Sequence, residues 1–316
     1  MARKERIEYE YRYYDMPIKE PMIALMGDTW KRSYGEKKGR LHFHNILEIG
    51  YCYYGNGIVT YDTFEENIQN HRYTQRQISI VPQNVPHTTH SDEGSIDFWE
   101  YLFIDTEKYL KDFFPNDQRL VKSMFRDVSS RPMFMEEEDY PQLGNIICAI
   151  INAQKEKSVY YEEVTRGLIY SLLMIVAAIN RDYAKDIEPI KETSVKIKEV
   201  ISYIGENYMR DIKISELAEI CSVSETHFRR LFGEAMNMTP LEYVNLVRIQ
   251  AACDLLSKTR YSMETVAEKV GFQTVSTFNR NFRRFTRTSP YQWKINANSY
   301  EKKVQEFKIS AYKGWE

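Results

Sequence analysis

The stretch YSMETVAEKVGFQTVSTFNRNFRRFTRTSPYQWK, Tyr261–Lys294, decides the fold of the C-terminal part of the chain. Apolar residues at helical spacing end at Gly271, and a glycine just past the last periodic residue is typical of a helix end. Phe278, Phe282 and Phe285 then repeat at helical spacing, which predicts a second helix whose other face is basic. A short helix, a turn with glycine and a basic second helix are typical of a helix-turn-helix, whose second helix enters the major groove of DNA.

The same pattern occurs again upstream in the chain. Aligning the two copies places Phe228 on Phe278 and Pro240 on Pro290. Between the copies, residues 241–256 predict one amphipathic helix. A rigid helix between two helix-turn-helix units would present their second helices to neighbouring segments of the major groove, about 34 Å apart.

The tract from 194 to 296 resembles the DNA-binding domain of the AraC/XylS family of bacterial transcription regulators. The resemblance rests on the Val-Ala…Val-Gly-Phe run ending at Phe272, the Ser-x-Phe-x-Arg-x-Phe motif ending at Phe282, and a proline followed by an aromatic residue and Lys294. The family usually has a glycine three residues before the proline, where this chain has Asn237 and Arg287. Asparagine tolerates left-handed backbone geometry better than arginine does.

Two sets of side chains are predicted to contact DNA. A lone arginine on a helix is most often a solvated charge, but two copies in the same register favour DNA binding. The family resemblance assigns base contacts to the start of each second helix: Thr226, Arg229, Arg230, Ser276, Asn279 and Arg280. Arginine pairs with guanine, and asparagine with adenine, through two hydrogen bonds. Phosphate contacts are expected from the other basic residues nearby: Lys258, Arg260, Arg283, Arg284 and Arg287.

Length and charge predict two domains of different character. The chain has 316 residues, of which 43% are hydrophobic, enough for packed cores. Segment 194–298 holds 15 basic and 11 acidic residues, and the whole chain has a net charge of −2, so the remainder is acidic. No run is long enough to span a membrane, the N-terminus has no apolar signal region, and the four cysteines show no paired spacing. We therefore expect a cytoplasmic protein without a membrane partner.

The N-terminal half predicts short strands. Residues 21–101 contain strand-like runs separated by polar turns, including a hairpin turn at Gly55–Gly57, and this pattern predicts a barrel or jelly roll. His42, His44 and Glu48 share one parity and would face the same side of one extended strand, with His87 after a later strand. This arrangement resembles the cupin motifs, whose histidines and glutamate are metal ligands. The resemblance implies a cupin-like barrel of the kind that AraC-family sensor domains use to bind a sugar or another small effector, often without metal.

Three uses of these four residues stay open: a structural polar core, a metal site, or polar contacts to an organic effector. Nearby aromatic residues could supply the apolar wall for a sugar, although each is by itself an ordinary core residue: Trp30, Tyr34, Phe43, Tyr51, Tyr53, Trp99 and Tyr101. We therefore expect a sugar effector held by His42, His44, Glu48 and His87, with a metal ion on the same residues as the alternative.

Helical patterns replace strands after residue 105. A wide apolar stripe on 161–183, around Leu172 and Ile175, packs either on the barrel or against a second chain, and the family resemblance favours a homodimer. Ser194 is expected to cap the first helix of the DNA-binding domain. The predicted segments are an N-terminal arm (1–20), a cupin-like effector-binding and dimerisation domain (21–183, helical from about 105), a linker (184–193), the double helix-turn-helix domain (194–298) and a C-terminal tail (299–316).

These expectations combine into one function. The fold class is α+β with two domains, a cupin-like β-barrel with flanking helices and an all-α tandem helix-turn-helix domain. We expect a transcription activator that binds promoter DNA, responds to a sugar and contacts RNA polymerase, without enzymatic activity or a cofactor. Two alternatives are kept. One is a metal-dependent cupin enzyme or metal sensor fused to the DNA-binding domain, and the other is a constitutive DNA binder of nucleoid type.

Overall fold

The computed structural model describes residues 10–12, 14, 22–35, 41–62, 68–186, 192–236, 238–286 and 288–295. The main boundary between its two units falls between residues 187 and 188. The N-terminal unit is rich in strands, and the described part of the C-terminal unit from residue 192 onward is helical. The prediction of a two-domain α+β fold is therefore confirmed. Most of the predicted N-terminal arm and all of the predicted C-terminal tail lie outside the described residues.

Two sheets form the N-terminal unit. Their strands are β1 Glu10–Arg12, β2 Met22–Leu25, β3 Lys31–Arg32, β4 His42–His44, β5 Leu47–Tyr54, β6 Gly57–Asp62, β7 Ile68–Tyr73, β8 Gln77–Val81, β9 His87–Ser91, β10 Asp97–Ile104 and β11 Met133–Glu136. A five-stranded sheet has the order β1-β4-β9-β6-β7, and a six-stranded sheet has the order β11-β8-β5-β10-β2, with β3 beside β10. Burial is nearly continuous along β5, β8 and β10, so these strands are covered on both faces.

The chain changes sheets directly after His44. The parity of the sequence predicted one strand for His42, His44 and Glu48, and that prediction is wrong. Instead β4 ends at His44, the chain bends at Asn45–Ile46, and β5 begins in the other sheet. Such corners, where a strand leaves one sheet for another, are a normal feature of packed sheets.

A second change of sheet follows β5. The predicted hairpin at Gly55–Gly57 is wrong, because β5 and β6 belong to different sheets. Asp97 holds this connection in place. The backbone N–H of Asn56 donates to Asp97 Oδ1 at 3.1 Å, and a Cβ atom at Gly55 would lie only 2.5 Å from the same carboxylate. Glycine is therefore required at Gly55 by close approach and by its φ of 148°.

Four helices complete the N-terminal unit: α1 Thr106–Phe113, α2 Gln118–Val128, α3 Pro141–Glu156 and α4 Tyr161–Asp186. The helix α4 packs on both α2 and α3. Leu172 is completely buried within this single chain, so packing inside the unit accounts for the centre of the predicted stripe. Val164, Ser171 and Ala178 lie on the exposed side of α4. The homodimer stays a prediction, and any pairing through α4 must use this exposed side.

Six helices precede a last helical stretch in the C-terminal unit: α5 Glu192–Asn207, α6 Ile214–Ile220, α7 Glu225–Met236, α8 Pro240–Lys258, α9 Met263–Lys269 and α10 Val275–Thr286, followed by helical residues 290–295. The helix α5 already begins at Glu192, so Ser194 lies inside it and does not cap it. Together α4 and α5 occupy both ends of the predicted linker.

Local signals in the sequence place the start of α8. Thr239 and Glu242 form a reciprocal capping box, with Pro240 in the first turn. The helix then packs against α9 and α10 through a core that includes Ile249, Val266 and the phenylalanines of α10. Within the described residues, no helix is both long enough and apolar enough to cross a bilayer.

Candidate functional site

The second helix of each helix-turn-helix turns its polar face to solvent. Phe228 and Phe232 on α7, and Phe278 and Phe282 on α10, are completely buried. The predicted base-contacting residues lie on the other faces: Thr226, Arg229, Arg230, Ser276 and Arg280 are exposed, and Asn279 is half-buried. The two phenylalanine pairs fix the rotation of both helices, so that corresponding positions of the two copies face outward.

The two turns differ in length by one residue. Residues 221–224 separate α6 from α7, whereas residues 270–274 separate α9 from α10. Both first helices nevertheless end with the same hydrogen bond, from Val223 N–H to Ala218 O at 3.1 Å and from Phe272 N–H to Ala267 O at 2.9 Å. The left-handed position is filled by Gly271 in the second copy and by a serine, Ser222, in the first.

One of the arginines predicted to contact phosphate is paired with an acidic residue that was not predicted to lie near it. Glu242 of α8 forms an ion pair with Arg284 of α10. Hydrogen bonds from Thr239 and Arg284 hold the pKa of Glu242 below its usual range, although burial alone would raise it. In the alignment of the two copies, Glu242 corresponds to Gln292. The acid in the first copy was the sequence signal that could have indicated this ion pair. Arg260 and Arg283 are exposed, while the Lys258 side chain and Arg287 lie outside the described residues.

In the N-terminal unit the four predicted effector-binding residues converge. One ligand atom from each of His42, His44, Glu48 and His87 lies within 4.8 Å of the others. All four side chains are buried, with at most 3% of any residue exposed. The three histidines come from β4 and β9 of the five-stranded sheet, and Glu48 comes from β5 of the six-stranded sheet. The cluster therefore joins the two sheets.

Hydrogen bonds fix which nitrogen of two imidazoles points inward. His44 Nδ1 lies 2.8 Å from Ile46 O, and His87 Nδ1 lies 2.9 Å from Val85 O. A backbone carbonyl only accepts, so each Nδ1 carries the hydrogen and donates it. The Nε2 atoms of His44 and His87 then face Glu48 Oε2 at 3.0 and 3.3 Å. An anchored Nδ1–H of this kind is the usual arrangement of a histidine that ligates metal through Nε2.

Comparisons with known proteins agree with the helical half. A family profile described as a helix-turn-helix domain matches residues 217–295. An HTH-type transcriptional regulator of Staphylococcus aureus strain MRSA252 is 26% identical over 154 residues, which are 48% of this chain and 20% of that protein. The HTH-type transcriptional regulator YfiF of Bacillus subtilis strain 168 is 23% identical over 254 residues, which are 79% of this chain and 77% of YfiF. Residues 217–295 therefore match a helix-turn-helix domain of AraC type.

Among solved structures, ToxT from Vibrio cholerae O395 is 13% identical, and the match covers 80% of this chain and 90% of the ToxT chain, with a TM-score of 0.43. The first curated relatives are much longer than the match, since the chain spans 20% of the length of the Staphylococcus aureus protein.

Burial and neighbouring groups shift the pKa values of His44 and Glu48 in this cluster. Burial lowers the pKa of His44, although Glu48 opposes the shift. Burial opposes ionisation of Glu48, but His87 and His44 beside its carboxylate outweigh burial and hold its pKa well below the usual range. With hydrogen already on Nδ1, either a proton or a metal ion at Nε2 of His44 would favour the anionic form of Glu48.

The aromatic residues proposed as a sugar-binding wall form part of the packed core. Trp30, Tyr34, Tyr51, Trp99 and Tyr101 are all buried. The rings of Trp99 and Tyr101 are stacked with centroids 5.9 Å apart, and the Tyr34 hydroxyl donates to Trp30 O at 2.8 Å. Of the other two predicted residues, Phe43 is buried and Tyr53 is half-buried. These rings therefore serve each other as packing partners.

Proposed function

We propose that this AraC-type protein binds specific DNA sequences through both helix-turn-helix units and regulates transcription from them. The observation that carries the proposal is the matched exposure of α7 and α10, each with a buried phenylalanine pair behind a polar face. Exposed Arg230 and Arg280 occupy corresponding positions and are suited to pair with guanine in the major groove. The charge is uneven between the helices: α10 has three arginines and no acid, whereas α7 has two arginines and two glutamates.

Selection from a random double-stranded DNA library with the full chain tests this proposal. Wild-type protein is expected to enrich a two-part motif. Arg280→Ala should cost about 1–3 kcal/mol on that motif and relax one base position, because it removes a base contact. Arg181→Ala is the matched control, since Arg181 is an exposed arginine of the N-terminal unit. Enrichment of no motif by wild type, or an equal loss on selected and random DNA for Arg280→Ala, would contradict the assignment.

The finer expectations remain proposals of the same kind. Activation rather than repression, contact with RNA polymerase and cytoplasmic location are carried forward from the sequence, and a sugar effector is carried forward as the alternative to the metal ion proposed below. A homodimer is carried forward as well, with the exposed side of α4 as its contact surface. Val164 and Ala178 on that side leave an apolar surface available for a second chain.

For the N-terminal unit, we propose that His42, His44, Glu48 and His87 hold a divalent transition-metal ion that acts as the effector. Ligand atoms about 2 Å from a central ion lie roughly 3–4 Å apart. The observed separations, all within 4.8 Å, therefore need only a small closure around an ion. Three imidazoles and one carboxylate suit zinc, iron, nickel, copper or manganese better than calcium or magnesium.

Burial of the cluster favours a metal sensor over a metal-dependent enzyme. A catalytic metal keeps an open coordination position that a substrate can reach. Here all four residues are nearly inaccessible, and the rings of His42, His44 and His87 lie against each other. An ion held by four protein ligands in such a site is suited to a structural or regulatory role.

Metal analysis of the purified full-length protein tests the ion directly. After metal is removed and then offered in equimolar mixtures of manganese, iron, cobalt, nickel, copper and zinc, wild type should retain one of them stoichiometrically. His87→Ala should lose it. His90→Ala should keep it, because His90 is an exposed histidine on the same strand β9. Retention by His87→Ala equal to that of wild type would reject this site.

A further inference from the structure

A buried arginine lies at the centre of the DNA-binding unit. Arg248 is in the middle of α8, and only 9% of it is exposed. Its Nε donates to Tyr208 O at 2.8 Å and its Nη2 donates to Arg210 O at 2.9 Å. Its guanidinium group also lies 5.5 Å from the centre of the Phe272 ring. Burial lowers the pKa of Arg248, but arginine stays protonated in proteins, so the buried charge must be matched by these carbonyls.

The carbonyls that accept from Arg248 belong to the segment between α5 and the first helix-turn-helix. This segment, Tyr208–Arg210, is followed closely by α6. Arg210 is itself tied to α6 through an ion pair with Glu216 at 2.8 Å. Tyr208–Arg210 is therefore linked to α6, which packs on α7. The segment Tyr208–Arg210 therefore supports the first helix of the first helix-turn-helix.

The turn of the second helix-turn-helix presses on the same segment. A Cβ atom at Gly271 would lie 2.6 Å from Met209 O and 2.8 Å from Tyr208 O, so only glycine allows this approach. Phe272, the next residue, is the one whose ring faces Arg248. The helix α10 begins directly after this turn at Val275. The Arg248 side chain thus contacts both the segment Tyr208–Arg210, which precedes the first helix-turn-helix, and the turn of the second helix-turn-helix.

We propose that Arg248 is a positioning residue that sets the distance between α7 and α10, and with it the number of base pairs between the two halves of the DNA site. The inference rests on the proposed DNA-binding function. Each second helix keeps its own phenylalanine core, so loss of the Arg248 contacts leaves the halves folded and frees one half relative to the other. Arginine is needed because its rigid fork reaches two carbonyls at once, which the single ammonium group of lysine does not.

The experiment compares wild type, Arg248→Lys and Arg248→Met as full chains in selection from a random double-stranded DNA library. Wild type is expected to enrich two half-motifs at one fixed spacing. Both variants are expected to enrich the same half-motifs at more than one spacing. Their affinity for the wild-type two-part site should fall about tenfold, because a loosened connection lowers the effective concentration of the second half. Their affinity for DNA with a single half-motif should stay at the wild-type level.

Each other result has a distinct meaning. Arg181→Lys serves as the matched control and should keep the wild-type spacing. A single unchanged spacing for both Arg248 variants overturns the inference while leaving the proposed function in place. An equal loss on single and two-part sites also overturns it, because Arg248 would then support only the fold. Loss of helical circular dichroism in both variants has the same consequence. Failure of wild type to enrich any motif instead contradicts the proposed function.

Discussion

Replacing Glu48 by glutamine separates a metal site from an ordinary polar core. The Glu48 carboxylate lies between the Nε2 atoms of His44 and His87, whose Nδ1 hydrogens are already donated to backbone carbonyls. In the metal-free protein a glutamine amide can donate to one of these nitrogens, and it removes a buried negative charge. Because the low pKa of Glu48 means that its anion stabilises the fold at pH 7, Glu48→Gln should lower the thermal midpoint of the metal-free protein, and the new amide hydrogen bond should limit the loss. With metal present, the same change removes the anionic ligand, so the midpoint should no longer rise.

The size of the metal effect follows from mass action. A ligand at 100 times its dissociation constant raises the free energy of unfolding by about 2.7 kcal/mol. For a unit of this size, each kcal/mol shifts the midpoint by about 2–4 °C, so wild type should gain about 5–11 °C. The ion also joins β5 of one sheet to β4 and β9 of the other, so its contribution should appear as stabilisation of the whole N-terminal unit.

Differential scanning calorimetry of the metal-free and metal-loaded proteins provides the measurement. The control is His90→Ala, which alters an exposed histidine on β9 and should keep the full wild-type gain. If the four residues form only a hydrogen-bonded polar core, no metal should raise the midpoint of wild type. That result would refute the ion and return the cluster to a purely structural role.

Four further outcomes are expected from surface changes. Arg283→Ala should weaken binding to selected and random DNA alike and reduce the salt dependence by about one ion, as measured by fluorescence anisotropy over a range of salt concentrations. Arg284→Ala should have a smaller effect than Arg283→Ala because Glu242 already matches its charge, and equal effects would contradict this view of the ion pair. Glu242→Gln should tighten binding to random DNA by releasing Arg284, and unchanged affinity would show that the pair does not compete with phosphate. Val164→Glu, on the exposed side of α4, should convert a dimer to a monomer in light scattering, whereas a monomeric wild type would exclude pairing there.

The DNA-binding unit was largely predictable from the sequence because its signals are local. Phenylalanines at helical spacing defined the inner face of α10, and repetition of the pattern at Phe228 and Phe232 located α7. The turn of the first copy was harder to delimit, since Ser222 takes the left-handed position that glycine marks in the second. The role of Arg248 could not be derived, because a basic residue in an apolar helix pattern does not reveal the carbonyls that it binds.

In the N-terminal unit, residue types were predictable but connections between sheets were not. Strand-like runs, the histidine cluster and the four helices could all be anticipated from periodicity. The bend at Asn45–Ile46 could not, because alternation continues through it and only the pairing partners distinguish one strand from two. The burial of Leu172 was likewise hidden, since an apolar stripe does not state whether its partner is in the same chain.

That bend determines how an ion would carry a signal. An effector changes regulation only through different affinities for two conformations. If His42, His44 and Glu48 lay on one strand, as parity suggested, these three ligands would stay together in every conformation of the unit. Because His42, His44 and His87 belong to one sheet and Glu48 to the other, the full ligand set exists only when the two sheets are close. If an ion binds here, the metal-bound and metal-free states therefore differ in the approach of the sheets at this cluster. Phe103 of β10 packs against His44 and pairs with Glu48 across the sheet, and β10 leads directly into α1, so the approach of the sheets acts on the helical part of the unit through β10.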